Sequence, residues 1–175
     1  MVSQLYSFYM NRINMLKYVS YDIVFQEVPN ETTLAINISN CPCHCKGCHS
    51  SYLAGDIGEF LDLNTLMRLI DKNEGITCVA FMGGDSDPSS VNMLAGILRT
   101  GGLLTAWYSG RQELPSCIDI RNFNYIKLGP YIEELGGLKS PNTNQRFYEV
   151  QMSRELDENG DPIYGLMDIT STFWK

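Results

Sequence analysis

Residues 76–82, Ile-Thr-Cys-Val-Ala-Phe-Met, are apolar at nearly every position, and this run constrains the fold more than any other stretch. A strand with one wet face alternates apolar and polar residues, whereas a strand apolar on both faces must be covered on both. The run stops at Gly83-Gly84-Asp85, a break in chain direction. Strand-like and helix-like segments take turns around it. Residues 18–28 are β-rich and end at Pro29-Asn30, and residues 33–39 alternate apolar and polar. Leu63, Leu66, Met67 and Ile70 recur at helical spacing, with Asn64 as a candidate cap and Gly75 as the stop. Val91, Leu94, Ile97 and Leu98 mark a second helix, capped by Ser89 or Ser90 and closed by Gly101-Gly102. Residues 103–108 and 125–128 read as further strands, breaking at Ser109-Gly110 and Gly129-Pro130.

Strands alternating with helices call for a parallel sheet with right-handed crossovers. Chemistry in such sheets gathers on the loops leaving the C-terminal strand ends. At 175 residues the chain is too short for a complete eight-fold barrel of about 250. The expected architecture is α/β: a partial, open βα barrel with a mostly parallel sheet. A single domain is expected over residues 16–175. Residues 1–15 form a candidate N-terminal extension, because Met10 and Met15 are alternative starts. Toward the C-terminus, residues 146–150 suit a strand, Asn159-Gly160-Asp161-Pro162 is turn chemistry, and residues 165–174 are apolar enough to pack or pair.

A net charge of −7 disfavours nucleic acid as a partner, since phosphate binding needs a basic face. No apolar run approaches the length of a membrane span. Ser3, Gln4, Asn11, Arg12 and Asn14 interrupt any export signal, so a cytoplasmic location is expected.

Directly after the strand at 33–39 come Cys41-Pro42-Cys43-His44-Cys45-Lys46-Gly47-Cys48. Packing does not call for four thiols in eight residues, because a buried structural cysteine works singly. Cys41, Cys45 and Cys48 stand in C-x₃-C-x₂-C spacing. One reading is a structural zinc site, with His44 or His49 as fourth ligand, but zinc knuckles usually come as two separated pairs and no second pair exists here. The other is a [4Fe–4S] cluster on three thiolates, which leaves one iron without a protein ligand.

The C-x₃-C-x₂-C loop after the first core strand, with a Gly-Gly-acidic turn after the next, resembles the radical S-adenosylmethionine (SAM) superfamily, over roughly residues 19–150. Within it the chain most resembles the activating proteins of anaerobic (class III) ribonucleoside-triphosphate reductase. The short length, Gly47 before the third cysteine, Asp85 in the glycine turn, Trp107-Tyr108-Ser109-Gly110 and Gly129-Pro130-Tyr131 carry that narrower likeness. Two features depart from the wider pattern. Gly47 stands where an aromatic residue is common, and Gly83-Gly84-Asp85-Ser86-Asp87-Pro88 is two residues longer than the usual turn, which leaves Asp85 and Asp87 both open as the functional acid, with Asp85 favoured.

The resemblance implies that Cys41, Cys45 and Cys48 ligate three irons, and that the SAM amine and carboxylate chelate the fourth. Gly83 and Gly84 would let backbone carbonyls approach the SAM amine, and Asp85 would complement its positive charge, although a Gly-Gly pair can also be only a turn. Tyr108 and Ser109 are candidates for the ribose or adenine, and Lys127 for the carboxylate; packing or a solvated charge is the plainer role for such residues. Cys43 is read as a non-ligand, Trp107 as core, His44 and His49 as loop residues near the cluster or adenosine, and Thr143-Asn144-Gln145-Arg146 as a polar group at the site mouth or on a partner surface. The implied activity is reductive cleavage of SAM to a 5′-deoxyadenosyl radical that generates a glycyl radical on the reductase, with a flavodoxin-like electron donor. The rivals are an activating enzyme for another glycyl-radical partner, of the pyruvate formate-lyase type, and a small zinc-binding interaction module.

Overall fold

A computed structural model describes residues 16–174; the N-terminal extension expected at residues 1–15 lies outside them. The strands are β1 (Lys17–Val24), β2 (Thr33–Ile38), β3 (Glu59–Phe60), β4 (Cys78–Met82), β5 (Leu104–Tyr108), β6 (Tyr125–Leu128), β7 (Arg146–Leu156) and β8 (Pro162–Asp168). The α-helices among the described residues are α1 (Leu63–Lys72) and α2 (Pro88–Thr100).

All eight strands join one sheet in the order β3-β1-β2-β4-β5-β6-β7-β8. β2, β4, β5 and β6 run parallel. β1 and β3 flank them antiparallel on one side, β7 and β8 on the other. This overturns the expected partial βα barrel with a mostly parallel sheet: the sheet is mixed, and among the described residues only two α-helices accompany it. The connections explain the difference. A short link between β1 and β2 closes a hairpin, which needs no crossover helix. Between β5 and β6 the chain makes only a 3-10 turn, Ile120–Asn122, and after β6 it returns antiparallel. Helical crossovers remain at β2 to β4 and β4 to β5 alone.

Both helices start on side chains other than those expected. Asp62, not Asn64, caps α1 by accepting from the Thr65 amide at 2.7 Å. Asp87, not Ser89 or Ser90, caps α2: it accepts from the Ser90 amide at 3.2 Å and the Ser90 hydroxyl at 2.5 Å, with Pro88 opening the first turn.

The alternating pleat sorts β4 and β5 into two unequal faces. Val79, Phe81 and Trp107 join Leu34, Ile36 and Ile38 under α1 and α2, where Leu66, Leu69, Val91, Leu94 and Leu98 complete the main core. The opposite face carries the smaller Cys78, Ala80 and Ala106, covered by Val28 and Phe147. At the C-terminal end of this second face, register places Asn37 beside Met82, Met82 beside Tyr108, and Tyr108 beside Lys127. That row is the floor of the site.

Candidate functional site

A cavity of about 620 Å³ lies over this row, at the C-terminal ends of the parallel strands. Its walls come from the loops that leave those strands, because parallel strands present all their exits on one edge. Cys41, Cys43, Cys45 and Cys48 line it after β2, Gly83 and Asp85 after β4, Ser109 and Gly110 after β5, and Tyr131 after β6. The convergence expected from sequence is therefore met, although Gly129 lines a separate cavity of about 140 Å³.

The cysteine loop is pinned at its base and turns tightly at its tip. The Asn40 and Cys41 amides each donate at 2.9 Å, to the Gly55 and Leu53 carbonyls. At the tip the Cys48 amide donates to the Cys45 carbonyl at 3.3 Å, closing a turn whose third residue is Gly47 with φ of 75°. A turn of that kind wants glycine there. A Cβ on Gly47 would also lie 3.0 Å from the Glu133 carboxyl carbon, so glycine serves the close approach of the neighbouring loop as well.

Gly83 and Gly84 adopt φ of 107° and 85°. A Cβ on Gly84 would meet Val91 at 2.5 Å. The Gly83 amide donates to the Tyr108 carbonyl at 3.0 Å, and the Gly83 carbonyl accepts from the Trp107 indole at 2.8 Å. Trp107 is fully buried, as expected, and it also fixes this turn. The two candidate acids separate cleanly. Asp87 caps α2, while Asp85 turns into the site wall and is 1% exposed.

Asp85 is fully engaged. Its Oδ1 accepts from the Ser109 hydroxyl at 2.5 Å, and its Oδ2 accepts from the Gly110 amide at 3.0 Å. The Arg111 guanidinium stands 3.5 Å away and donates to the Asp85 backbone carbonyl at 2.7 Å. Arg111 lies in an aperiodic loop, and nothing in its sequence context marks it.

The remaining expected contacts are engaged within the protein too. The Tyr108 hydroxyl donates to the Glu27 carbonyl, and burial raises its pKa well above the ordinary tyrosine value. The Ser109 hydroxyl, besides bonding Asp85, accepts from the Arg111 amide at 3.0 Å. Lys127, 8% exposed, donates to the carbonyls of Gly129 at 2.6 Å and Ser109 at 3.2 Å. Burial pulls Lys127 down to about 8, against the opposing pull of Asp85, Cys45, Cys43 and Cys48. His49 lines the cavity edge-on to Tyr131 at 6.1 Å, whereas His44 is exposed with φ of 44°.

Cys43 differs from its neighbours. A Cβ on Gly110 would lie 2.5 Å from its Sγ, so the thiol is seated against the β5 exit. Its ligand atom and those of Cys41 and Asp85 lie within 4.8 Å of one another. Burial, followed by the Asp85 carboxylate and Cys41, pushes the Cys43 thiol up to about 12.

No helix among the described residues is long and apolar enough to cross a membrane. Comparison with protein families, with curated proteins and with solved structures finds no match to this chain.

Proposed function

We propose that this protein holds a [4Fe–4S] cluster on Cys41, Cys45 and Cys48 and uses it to cleave SAM reductively, as a cytoplasmic activating enzyme that installs a glycyl radical on anaerobic ribonucleoside-triphosphate reductase. The observation that carries this reading is that these three cysteines and the Gly83–Asp85 strand exit wall one large cavity. The sheet differs from a βα barrel, so the reading rests on the site and the motifs rather than on the fold.

The donor set fits such a group. Thiolates are the protein ligands of iron–sulfur clusters. Cys43 is seated against Gly110 and falls outside the C-x₃-C-x₂-C spacing, so Cys41, Cys45 and Cys48 are the proposed ligands. The chemistry the cluster supplies when bound is delivery of one electron to the sulfonium, so that the C5′–S bond breaks to methionine and a 5′-deoxyadenosyl radical. The chain's own contribution is position and charge. The Lys127 ammonium lies on the cavity floor, where it offsets negative charge from the thiolates and from a ligand carboxylate. Asp85 and Ser109 hold the β4 and β5 exits together beneath that space. Exposed Gln26, His49 and Lys139 on the cavity lining are where a protein segment carrying the target glycine would approach, with a flavodoxin-like donor supplying the electron.

One observation favours a second reading, a single metal ion on Cys41, Cys43 and Asp85, since those atoms already gather within 4.8 Å. Tetrahedral zinc holds sulfur ligands roughly 3.8 Å apart, so the spacing is compatible. The Asp85 oxygens already serve Ser109 and Gly110 and lie beside the Arg111 cation, which opposes a second cation there. Metal analysis after anaerobic reconstitution with iron and sulfide separates the readings. The cluster predicts about four irons and four sulfides per chain, whereas one zinc that iron and sulfide do not displace would overturn it.

A further inference from the structure

Gln145 is 7% exposed and lines the cavity. Its backbone amide donates to the Thr143 hydroxyl at 3.1 Å, and its carbonyl accepts from Arg146 at 2.9 Å. Its carboxamide makes no hydrogen bond to another described residue, and it is not one of the fully buried unmatched groups among those residues, Thr33 Oγ1 and Asn144 Oδ1; it is open to the cavity. A polar group that is open to a cavity and has no partner within the protein is free to bond a ligand there. The contrast with its surroundings sharpens this, because the polar groups of Asp85, Tyr108, Ser109 and Lys127 all have partners within the protein.

The neighbours of Gln145 narrow the ligand chemistry. A Cβ on Gly129 would lie 3.1 Å from the Gln145 Cα, and the Gly129 carbonyl accepts from Lys127, so the Gln145 backbone adjoins the cationic end of the floor, while its Oε1 would lie 3.9 Å from a Cβ on Gly137, another residue of the cavity lining. Two residues on, Phe147 pairs with Lys127 across the sheet and meets Phe173 edge-on at 5.0 Å. Phe173 and Tyr108 both line the cavity. A carboxamide that shares a cavity with aromatic rings is equipped for a flat heterocycle with adjacent donor and acceptor. A glutamine pairs with adenine in two bonds, accepting from N6–H and donating to N7, while an aromatic side chain takes the base face.

We propose that Gln145 is the specificity-determining residue that reads the adenine of the SAM ligand, with Oε1 accepting from N6–H and Nε2–H donating to N7. The assignment rests on the SAM reading above. Its test is equilibrium binding to the cluster-reconstituted protein, comparing SAM with its 6-oxo (inosyl) analogue, which replaces the N6 donor with an acceptor. The wild type should prefer SAM by about ten- to hundredfold, the scale of one bidentate base contact. Gln145→Ala and the near-isosteric, apolar Gln145→Met, checked for unchanged iron content, should lose most of that preference. Variants that keep the wild-type preference would overturn the role of Gln145 and leave the SAM reading intact. A wild type that binds neither ligand would overturn the SAM reading and this inference with it.

Discussion

The Asp85 carboxylate accepts the Ser109 hydroxyl at 2.5 Å, and this one bond joins the exits of β4 and β5 beneath the cysteine loop. With the Gly110 amide and the Arg111 guanidinium on the same carboxylate, Asp85 is a clamp for the site wall. Removing it strands buried donors, each worth roughly 1–3 kcal/mol. Asp85→Ala should therefore lower unfolding free energy by about 2–4 kcal/mol in denaturant titration. Wild-type stability in the variant would show that the clamp carries no weight.

Trp107 and Gly83 form a second link between the same strands through the indole N–H. Trp107→Phe keeps an aromatic ring in the core but removes that donor and leaves a small void. A loss of about 1–3 kcal/mol is expected. Backbone hydrogen exchange at Gly83 and Gly84 should quicken more than at Val79 or Ala80. Uniform exchange along β4 would contradict a specific role at the turn.

Lys127 makes stability depend on pH in a definite direction. Its ordinary pKa of 10.5 falls to about 8 in the folded chain, chiefly through burial. Folding therefore opposes the charged form, a penalty fully present below pH 8 and gone above pH 10.5. Relative to Lys127→Met, the cluster-free wild type should gain stability as pH rises through that window, by on the order of 3 kcal/mol. Paired denaturant titrations at pH 7, 9 and 10.5 measure the difference, and a flat difference would contradict a buried ammonium.

The strands β2, β4, β5 and β6 were legible because hydrophobic period and glycine breaks mark buried strands and their exits. Strand direction was not. Residues 18–28 and 146–150 carry β-rich patterns that are the same whether they pair parallel or antiparallel, so the pattern alone suits a barrel fragment as well as the mixed sheet. The two residues inserted after Asp85 were visible as a departure, but their purpose, a cap from Asp87 on α2, appears only once the helix start is placed. Arg111 and Gln145 lie in aperiodic loops. Their roles come from contacts across 26 residues for the Arg111–Asp85 bond and from a cavity whose other walls are distant in the chain.

The central claim is that three of the four clustered cysteines carry a cluster on which SAM is cleaved. The most direct measurement is 5′-deoxyadenosine released after one-electron reduction of the reconstituted protein with SAM. Wild type and Cys43→Ala should both produce it, with methionine in equal amount, while Cys41→Ala, Cys45→Ala and Cys48→Ala should each produce none. A wild type with full iron and sulfide that releases no 5′-deoxyadenosine would contradict the account, and so would a Cys43→Ala protein that loses its iron.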